Sequence, residues 1–361
     1  MIKIIVAGIL AFSSLLYNLP AQAAVIDVST LADEYNTSGV GAGCALREAV
    51  EAANIDLAFG GCSAGGGDDT INLPSGTYFL TQLGGGLVGL SEVTTYLGDI
   101  DINSNITIVG STAEAGTIVD GGGVTNLFDI FAGKIARLVD LTVTNGGLHG
   151  TSGLQMGGGI INRGNLTLER VRVENCESSP PASGPGTATY GGGGIYSLRV
   201  GSLILLESSV IGNTTTGNGG GIAIEGSHQI SNSTISENSA VGLGGGIYIG
   251  GNTWGATTLT DNTVANNNAG AGMESGEEIF RVANSNTALP STESPAIPVA
   301  TKESSTESTG TTAPAMGSPA SGGCGQIASG KVFGDGRISL FLLASVIFLL
   351  SMRRKLSTQK R

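Results

Sequence analysis

Aromatic and charged side chains are scarce in this 361-residue sequence, at 5% and 13% of the chain respectively. We therefore expect a core of aliphatic residues rather than a globular core built around large rings. Histidine occurs only twice, as His149 and His228. Each is predicted to lie in a separate bend with no partner motif, which argues against a histidine-based metal site or catalytic triad.

Basic residues are also few: 17 Lys and Arg stand against 29 Asp and Glu, so the formal net charge is −12. An acidic surface argues against nucleic acid as a partner, because binding nucleic acid depends on neutralising its phosphates. The same charge makes a polyanion such as pectate a poor substrate unless a divalent cation bridges the like charges.

Glycine is abundant, with 60 residues, and much of it lies in a repeated unit. The unit has three glycines, a short β-branched strand, a polar bend, a second short strand and an asparagine. At intervals of roughly 25 to 35 residues, an isoleucine follows the glycines and marks equivalent positions: Ile160, Ile195, Ile222 and Ile247. Such a repeat without helical period favours a solenoid over a propeller, whose blades need about 40–45 residues.

Stacking these units predicts an all-β fold, a right-handed parallel β-helix whose coils lie about 4.8 Å apart. Equivalent side chains then form columns, and the predicted interior positions are Leu166, Leu168, Leu203, Leu205, Ile222, Ile224, Ile247 and Ile249. A ladder of stacked amides is predicted at one corner, from Asn175, Asn213, Asn238 and Asn267. Glycine serves corners that need a positive φ or a close backbone approach. A glycine-rich phosphate cradle would require a helix directly after the glycines, and none is predicted.

The N-terminal residues 1–23 are predicted to be a secretory signal peptide. Lys3 supplies the positive start, Ile4–Leu16 the apolar run, and small residues up to Ala23 a cleavage site. The mature protein should begin near Ala24 in an oxidising compartment, and the β-helix should occupy residues 24–283.

A short helix is predicted within Cys44–Asn54, because its apolar residues follow helical spacing. A solenoid has an open apolar end, which this helix would cap. Cys62 lies close enough in sequence to pair with Cys44 in an oxidising compartment, and such a bond contributes on the order of 3 kcal/mol. Two segments, Leu83–Leu97 and Glu177–Tyr190, are predicted to be loops that leave the stack.

Composition changes after residue 283. Residues 284–321 are rich in Ser, Thr and Pro and should form a disordered linker. The tail 322–361 begins with Gly322, Gly323 and Cys324 and continues into a predicted apolar helix, Ile338–Leu350. Its basic end predicts a cytoplasmic C-terminus and an exported repeat domain. A plain membrane anchor with an incidental thiol is the alternative.

Three motifs resemble the start of bacterial exported pectin-lyase-like right-handed parallel β-helix proteins. Residues 44–49 are similar to a Cys-Ser-Leu-Arg-Glu-Ala type motif, followed by Asp-Asp-Thr-Ile-Asn-Leu at 68–73 and Gly-Thr-Tyr-Phe-Leu-Thr at 76–81. The Gly-Gly-Cys tail resembles sorting tails of Gram-negative bacteria, which implies a C-terminal processing protease and modification at Cys324. The resemblance covers roughly residues 25–270 and implies the fold. It does not imply one activity, because the superfamily includes lyases, hydrolases and non-catalytic surface proteins.

Candidate catalytic residues are few. Asp99 and Asp101 would share one face of a strand about 6.5–7 Å apart, a separation used by inverting carboxylate pairs. Aspartate is also common at polar turns, which is the alternative for both. Asp120 and Asp129 are predicted to lie in neighbouring coils, and the adjacent Asp68 and Asp69 to face opposite sides of a strand.

The arginines favour a structural role. Arg170 and Arg172, with Glu169 and Glu174 nearby, are predicted to form a solvated charged face. The lyase branch of the resembled superfamily uses an Arg or Lys base with Ca²⁺ held by acidic residues. No cofactor is predicted otherwise.

We therefore expect an exported, cell-envelope-anchored β-helix that binds a polysaccharide or a host or cell-surface ligand without catalysis. The alternative is a polysaccharide lyase or glycoside hydrolase. An enzyme should bring several acidic or Arg side chains together, whereas a binding protein should present rows of Ser, Thr and Asn.

Overall fold

The computed structural model describes residues 22–39, 41–82, 98–148, 156–180, 191–250, 257–270 and 278–281. The chain divides into two units, Met1–Pro290 and Ser291–Arg361, and every described residue belongs to the first. Most of the predicted signal peptide, the Leu83–Leu97 loop, the linker 284–321 and the tail 322–361 with its apolar run therefore lie outside the described residues.

The described part contains four parallel sheets, and each coil contributes at most one strand to each sheet. Sheet A has eight strands in the order β1 (Val25–Asp27), β2 (Asp69–Asn72), β5 (Ile106–Val109), β9 (Ile135–Val139), β13 (Asn165–Glu169), β17 (Ser202–Leu206), β21 (Ser227–Ser231) and β25 (Thr257–Thr260). Sheet B has seven strands: β3 (Gly76–Phe79), β6 (Thr117–Asp120), β10 (Thr142–Thr144), β14 (Arg172–Glu174), β18 (Ser209–Ile211), β22 (Thr234–Ser236) and β26 (Thr263–Ala265).

Sheet C also has seven: β4 (Ile100–Ile102), β8 (Phe128–Ile130), β12 (Ile160–Asn162), β16 (Ile195–Ser197), β20 (Ile222–Ile224), β24 (Ile247–Ile249) and β28 (Ile279–Arg281). Sheet D has four: β15 (Glu177–Ser178), β19 (Thr214–Thr215), β23 (Ser239–Ala240) and β27 (Asn268–Ala269). A small antiparallel pair joins β7 (Val124–Thr125) to β11 (Gly147–Leu148). The architecture is the predicted right-handed parallel β-helix.

The interior columns are confirmed. Ile160, Ile195, Ile222 and Ile247 pair with one another in register across sheet C, and each is fully buried. All eight interior Leu and Ile positions expected from the repeat are buried. The prediction for His228 was wrong. It lies in β21 in register with Leu203 and is 3% exposed, so an imidazole replaces leucine in an inward-facing column.

The asparagine ladder is confirmed for three residues. The Asn213 amide nitrogen donates to Oδ1 of Asn238 at 3.0 Å, and the Asn238 amide nitrogen donates to Oδ1 of Asn267 at 2.9 Å. Asn175 does not join them, because it lies one position earlier with a φ of 53°. Cys176 occupies the ladder position instead, and its N–H donates to Oδ1 of Asn213 at 3.0 Å.

The glycine triplets let successive coils approach closely. Gly219 has a φ of +76°, and a Cβ there would lie 2.4 Å from the carbonyl oxygen of Ile222. At Gly220 the added atom would lie 2.3 Å from the carbonyl oxygen of Gly245 in the next coil. Both positions therefore require glycine, for conformation at the first and for space at the second.

The N-terminal cap is confirmed as the helix α1 (Leu46–Ile55), and Cys44 and Cys62 form the expected disulfide. Arg47 is almost fully buried. Its guanidinium pairs with Asp33 at 2.7 Å and donates to the carbonyl oxygen of Gly98 at 2.8 Å. The arginine of the motif thus fixes the helix to the first coil.

The loop predicted over Glu177–Tyr190 begins later than expected. Glu177 and Ser178 form β15, because their backbone pairs in parallel with Thr214 and Thr215 in the following coil. Residues 181–190 lie outside the described residues.

Replacing Asn238 with alanine should lower the free energy of unfolding by about 2–3 kcal/mol, because groups above and below would lose buried hydrogen-bond partners. Denaturant titration measures this loss. Asn165→Ala is the matched control, since Asn165 is exposed on β13, and its change should stay within about 0.5 kcal/mol. Equal losses in the two variants would contradict a stabilising ladder.

Candidate functional site

Three aspartates meet at the first two strands of sheet C. Asp99 directly precedes β4, Asp101 lies in its middle, and Asp129 lies in the middle of β8. Parallel pairing places Asp101 and Asp129 in register. One carboxylate oxygen from each of the three lies within 4.8 Å of the others. We call these three residues the acidic cluster.

The acidic cluster lies on the outer side of sheet C. Ile100 and Ile102 point into the core, so the alternation of a strand turns Asp101 the other way. Asp101 and Asp129 are nevertheless only 2% and 4% exposed. Their row continues along the sheet through four more buried residues: Ile161, Tyr196, Ala223 and Tyr248.

A single arginine faces the acidic cluster among the described ion pairs. Arg163 lies in the turn between β12 and β13, and its Nη1 is 2.7 Å from Oδ2 of Asp129. The same guanidinium lies over the Phe131 ring, 5.8 Å from its centre. Within the described part of the chain, Oδ1 of Asp129 has no hydrogen-bond partner. The carboxylate is therefore paired on one side only.

Burial raises the pKa of Asp129 to about 7, and the nearby charge of Asp99 adds to the increase. Arg163 opposes it, but desolvation is the larger effect. A carboxyl group that titrates near neutral pH beside other carboxylates can exchange a proton with a bound molecule. Three carboxylates are also the oxygen ligands that Ca²⁺ or Mg²⁺ prefers.

The sequence predicted part of this cluster. Asp99 and Asp101 do come together, but Asp101 lies in a buried strand and not at a polar turn. Their nearest oxygens, within 4.8 Å, are closer than the roughly 6.5–9.5 Å of inverting carboxylate pairs.

The placement of Asp120 and Asp129 in neighbouring coils was wrong, because they belong to sheets B and C of one coil. The missed signal was the repetition of Ile-Asp-Ile at 100–102 as Phe-Asp-Ile at 128–130.

The other candidates are structural. Arg170 pairs with Asp140 and Glu169, and Arg172 pairs with Glu174, which confirms the solvated charged face on the outside of the stack.

The predicted processing positions Gly322, Gly323 and Cys324 lie outside the described residues, whereas Ala23 is described and exposed. Across the described ranges, no helix has the length and apolar character that a membrane crossing requires.

Comparison with known proteins adds no relative: no protein-family model, curated protein or solved structure matches the chain. The candidate site therefore depends on its own geometry.

The raised pKa of Asp129 predicts a pH dependence of stability. The folded chain keeps a proton that the unfolded chain, with a pKa near 3.8, releases. The free energy of unfolding should therefore fall as the pH rises from about 4 towards about 7. Denaturant midpoints measured across this range, for the wild type and Asp129→Asn, isolate the effect.

The difference between the two proteins is the informative quantity. Salt-bridged carboxylates such as Asp140 and Glu169 have lowered pKa values and act in both proteins alike. A difference that does not change with pH would contradict the assignment to Asp129.

Proposed function

We propose that this protein is an exported, cell-envelope-anchored β-helix that binds a neutral polysaccharide, or the glycans of a cell surface, without catalysis. The observation that carries the proposal is the repetition of uncharged polar side chains on the outer faces of the later coils. Each row runs along the stack at strand spacing, about 4.8 Å.

Three such rows cover three sheets. On sheet A, Asn165, Ser202 and Ser227 are in register; on sheet B, Ser209, Thr234 and Thr263; on sheet D, Thr214, Ser239 and Asn268. All of these side chains are exposed or half-buried. The sheet B row has only hydroxyl groups, and we call it the hydroxyl row.

A row of this kind suits a polymer whose hydroxyl groups also repeat. Each hydroxyl donates and accepts one or more hydrogen bonds, and each contributes little alone in water. Regular spacing lets several contacts form together, so weak contacts add along a chain. A neutral partner is favoured because the net charge of −12 repels polyanions.

The cellular setting is part of the proposal. A signal peptide ending at Ala23 and the Cys44–Cys62 disulfide both favour an oxidising compartment. The linker 284–321 would hold the β-helix away from a membrane that the tail 322–361 enters. Resemblance to sorting tails supports a Gram-negative envelope and a processing protease that recognises Gly322, Gly323 and Cys324.

Glycosidic bond hydrolysis is the second candidate, favoured by the acidic cluster. A carboxyl with a pKa near 7 close beside a second carboxylate is nearer to the acid and nucleophile of retaining glycoside hydrolases than to an inverting acid and base pair. In a lyase, the same oxygens would hold Ca²⁺. This candidate ranks second because Asp101 and Asp129 are 2% and 4% exposed, which leaves little surface for a sugar to contact.

One panel of neutral polysaccharides tests both candidates. The exported protein should bind at least one of them, and Ser209→Ala/Thr234→Val/Thr263→Val should weaken binding about tenfold or more, because three hydrogen bonds are lost. Isothermal titration measures affinity. The matched control is Thr70→Val/Thr107→Val, two half-buried outward threonines on sheet A, which should change affinity less than about twofold.

The same samples are assayed for reducing and unsaturated ends, with and without Ca²⁺. If such ends are released by the wild type and not by Asp99→Asn or Asp129→Asn, the function is catalysis and not binding. Absence of binding to the whole panel, or equal weakening by the control, would contradict the hydroxyl row as the binding surface.

A further inference from the structure

Ala24, the residue after the predicted cleavage site, is fixed at both of its backbone groups. Its nitrogen donates to Oδ1 of Asp69 at 2.8 Å. Its carbonyl oxygen accepts from the N–H of Thr70 at 2.9 Å. Ala24 thus docks on β2 directly before β1 begins, and it sets the start of sheet A.

The carboxylate that receives this nitrogen is buried, and no cation of the described residues forms an ion pair with it. Asp69 is 1% exposed. Among the described residues, its other hydrogen-bond donor is the N–H of Gly66, at 2.9 Å and 3.0 Å from its two oxygens. A buried carboxylate without a counter-charge is unfavourable.

Cleavage by a leader peptidase would supply that charge. Water adds across the bond between Ala23 and Ala24, so the carbonyl carbon of Ala23 gains the hydroxyl and leaves as a carboxylate. The nitrogen of Ala24 becomes an amine, which takes a proton to form an α-ammonium group at neutral pH. Gln22 and Ala23 are exposed, so the peptidase can reach the bond.

We propose that removal of the leader creates a partly buried ion pair between the α-ammonium group of Ala24 and the Asp69 carboxylate. This pair replaces a neutral N–H donor with a charged one at the same position, and it strengthens the contact of Ala24 with β2 that holds β1 in register. The inference rests on the proposed export, and it gives cleavage a second role as the step that stabilises the N-terminal coil.

Hydrogen exchange at Thr70 tests the pair. The N–H of Thr70 donates to the carbonyl oxygen of Ala24, the residue whose nitrogen would form the pair. Two chains are compared in the same detergent: residues 24–361, released from a removable leader with Ala24 first, and residues 22–361. Charge-assisted hydrogen bonds are roughly twice as strong as neutral ones. We therefore expect about tenfold slower exchange at Thr70 in the chain that begins at Ala24.

Three variants of the 24–361 chain identify the cause. Asp69→Asn should abolish the slowing. Acetylation of Ala24 removes the charge and leaves Asp69 intact, so it should also abolish the slowing. It replaces Asp69→Asn as the test if that variant does not fold. Asp68→Asn removes a neighbouring exposed carboxylate bonded to Asn105 at 2.9 Å, and it should keep the slowing. Equal exchange in the two starting chains, or slowing that survives acetylation, overturns the ion pair.

Mass spectrometry of the protein recovered from exporting cells separates this inference from the proposed export. A first residue of Ala24 together with equal exchange rates refutes the ion pair and leaves export standing. A chain that still begins at Met1, or begins at a residue other than Ala24, refutes processing at this bond and the inference with it.

Discussion

The structure depends on one constraint: each coil must present its backbone N–H and carbonyl groups in register with the coils above and below. Parallel pairing of this kind satisfies the backbone only when successive coils match in shape. Glycine meets the constraint where backbones crowd, as at Gly220, where an added Cβ would lie 2.3 Å from the carbonyl oxygen of Gly245. Asparagine meets it at an adjacent bend, where the ladder amides bond to backbone groups, as Asn238 does to the carbonyl oxygen of Val210 at 2.9 Å.

The same constraint generates the acidic cluster. Because coils stack in register, an aspartate that recurs at one strand position must lie beside its own copy, as Asp101 does beside Asp129. Burial raises the pKa of Asp129 to about 7, and the nearby charge of Asp99 adds to the increase. In the later coils the same sheet position carries uncharged residues. A repeating fold thus separates a first pair of strands that carries the acidic cluster from later coils with uncharged polar rows.

The fold was predictable from the repeat. The positions at which a coil departs from the repeat were not predictable from the sequence. The isoleucine columns and the cap were predictable because periodicity alone decides which face is buried. Asn175 was misplaced because Asn fits both the ladder and the left-handed position beside it, where its φ is 53°. His228 was misplaced because the interior tolerates an imidazole where leucine recurs. Asp129 was missed as a partner of Asp101 because the triplet Gly121–Gly123 does not directly precede β8, as the later triplets precede their sheet C strands. The register of the earlier coils is therefore not visible in the sequence.

Distances between spin labels on the outside of sheet B test the stacking most directly. Thr142 and Thr263 lie at one register position four strands apart, and Ile118 is one strand further away. Pulsed electron resonance should give about 19 Å for labels at Thr142 and Thr263 and about 24 Å for labels at Ile118 and Thr263. A difference between the two pairs of about one strand spacing supports the account. Distances that do not differ by this step would contradict coils stacked in register.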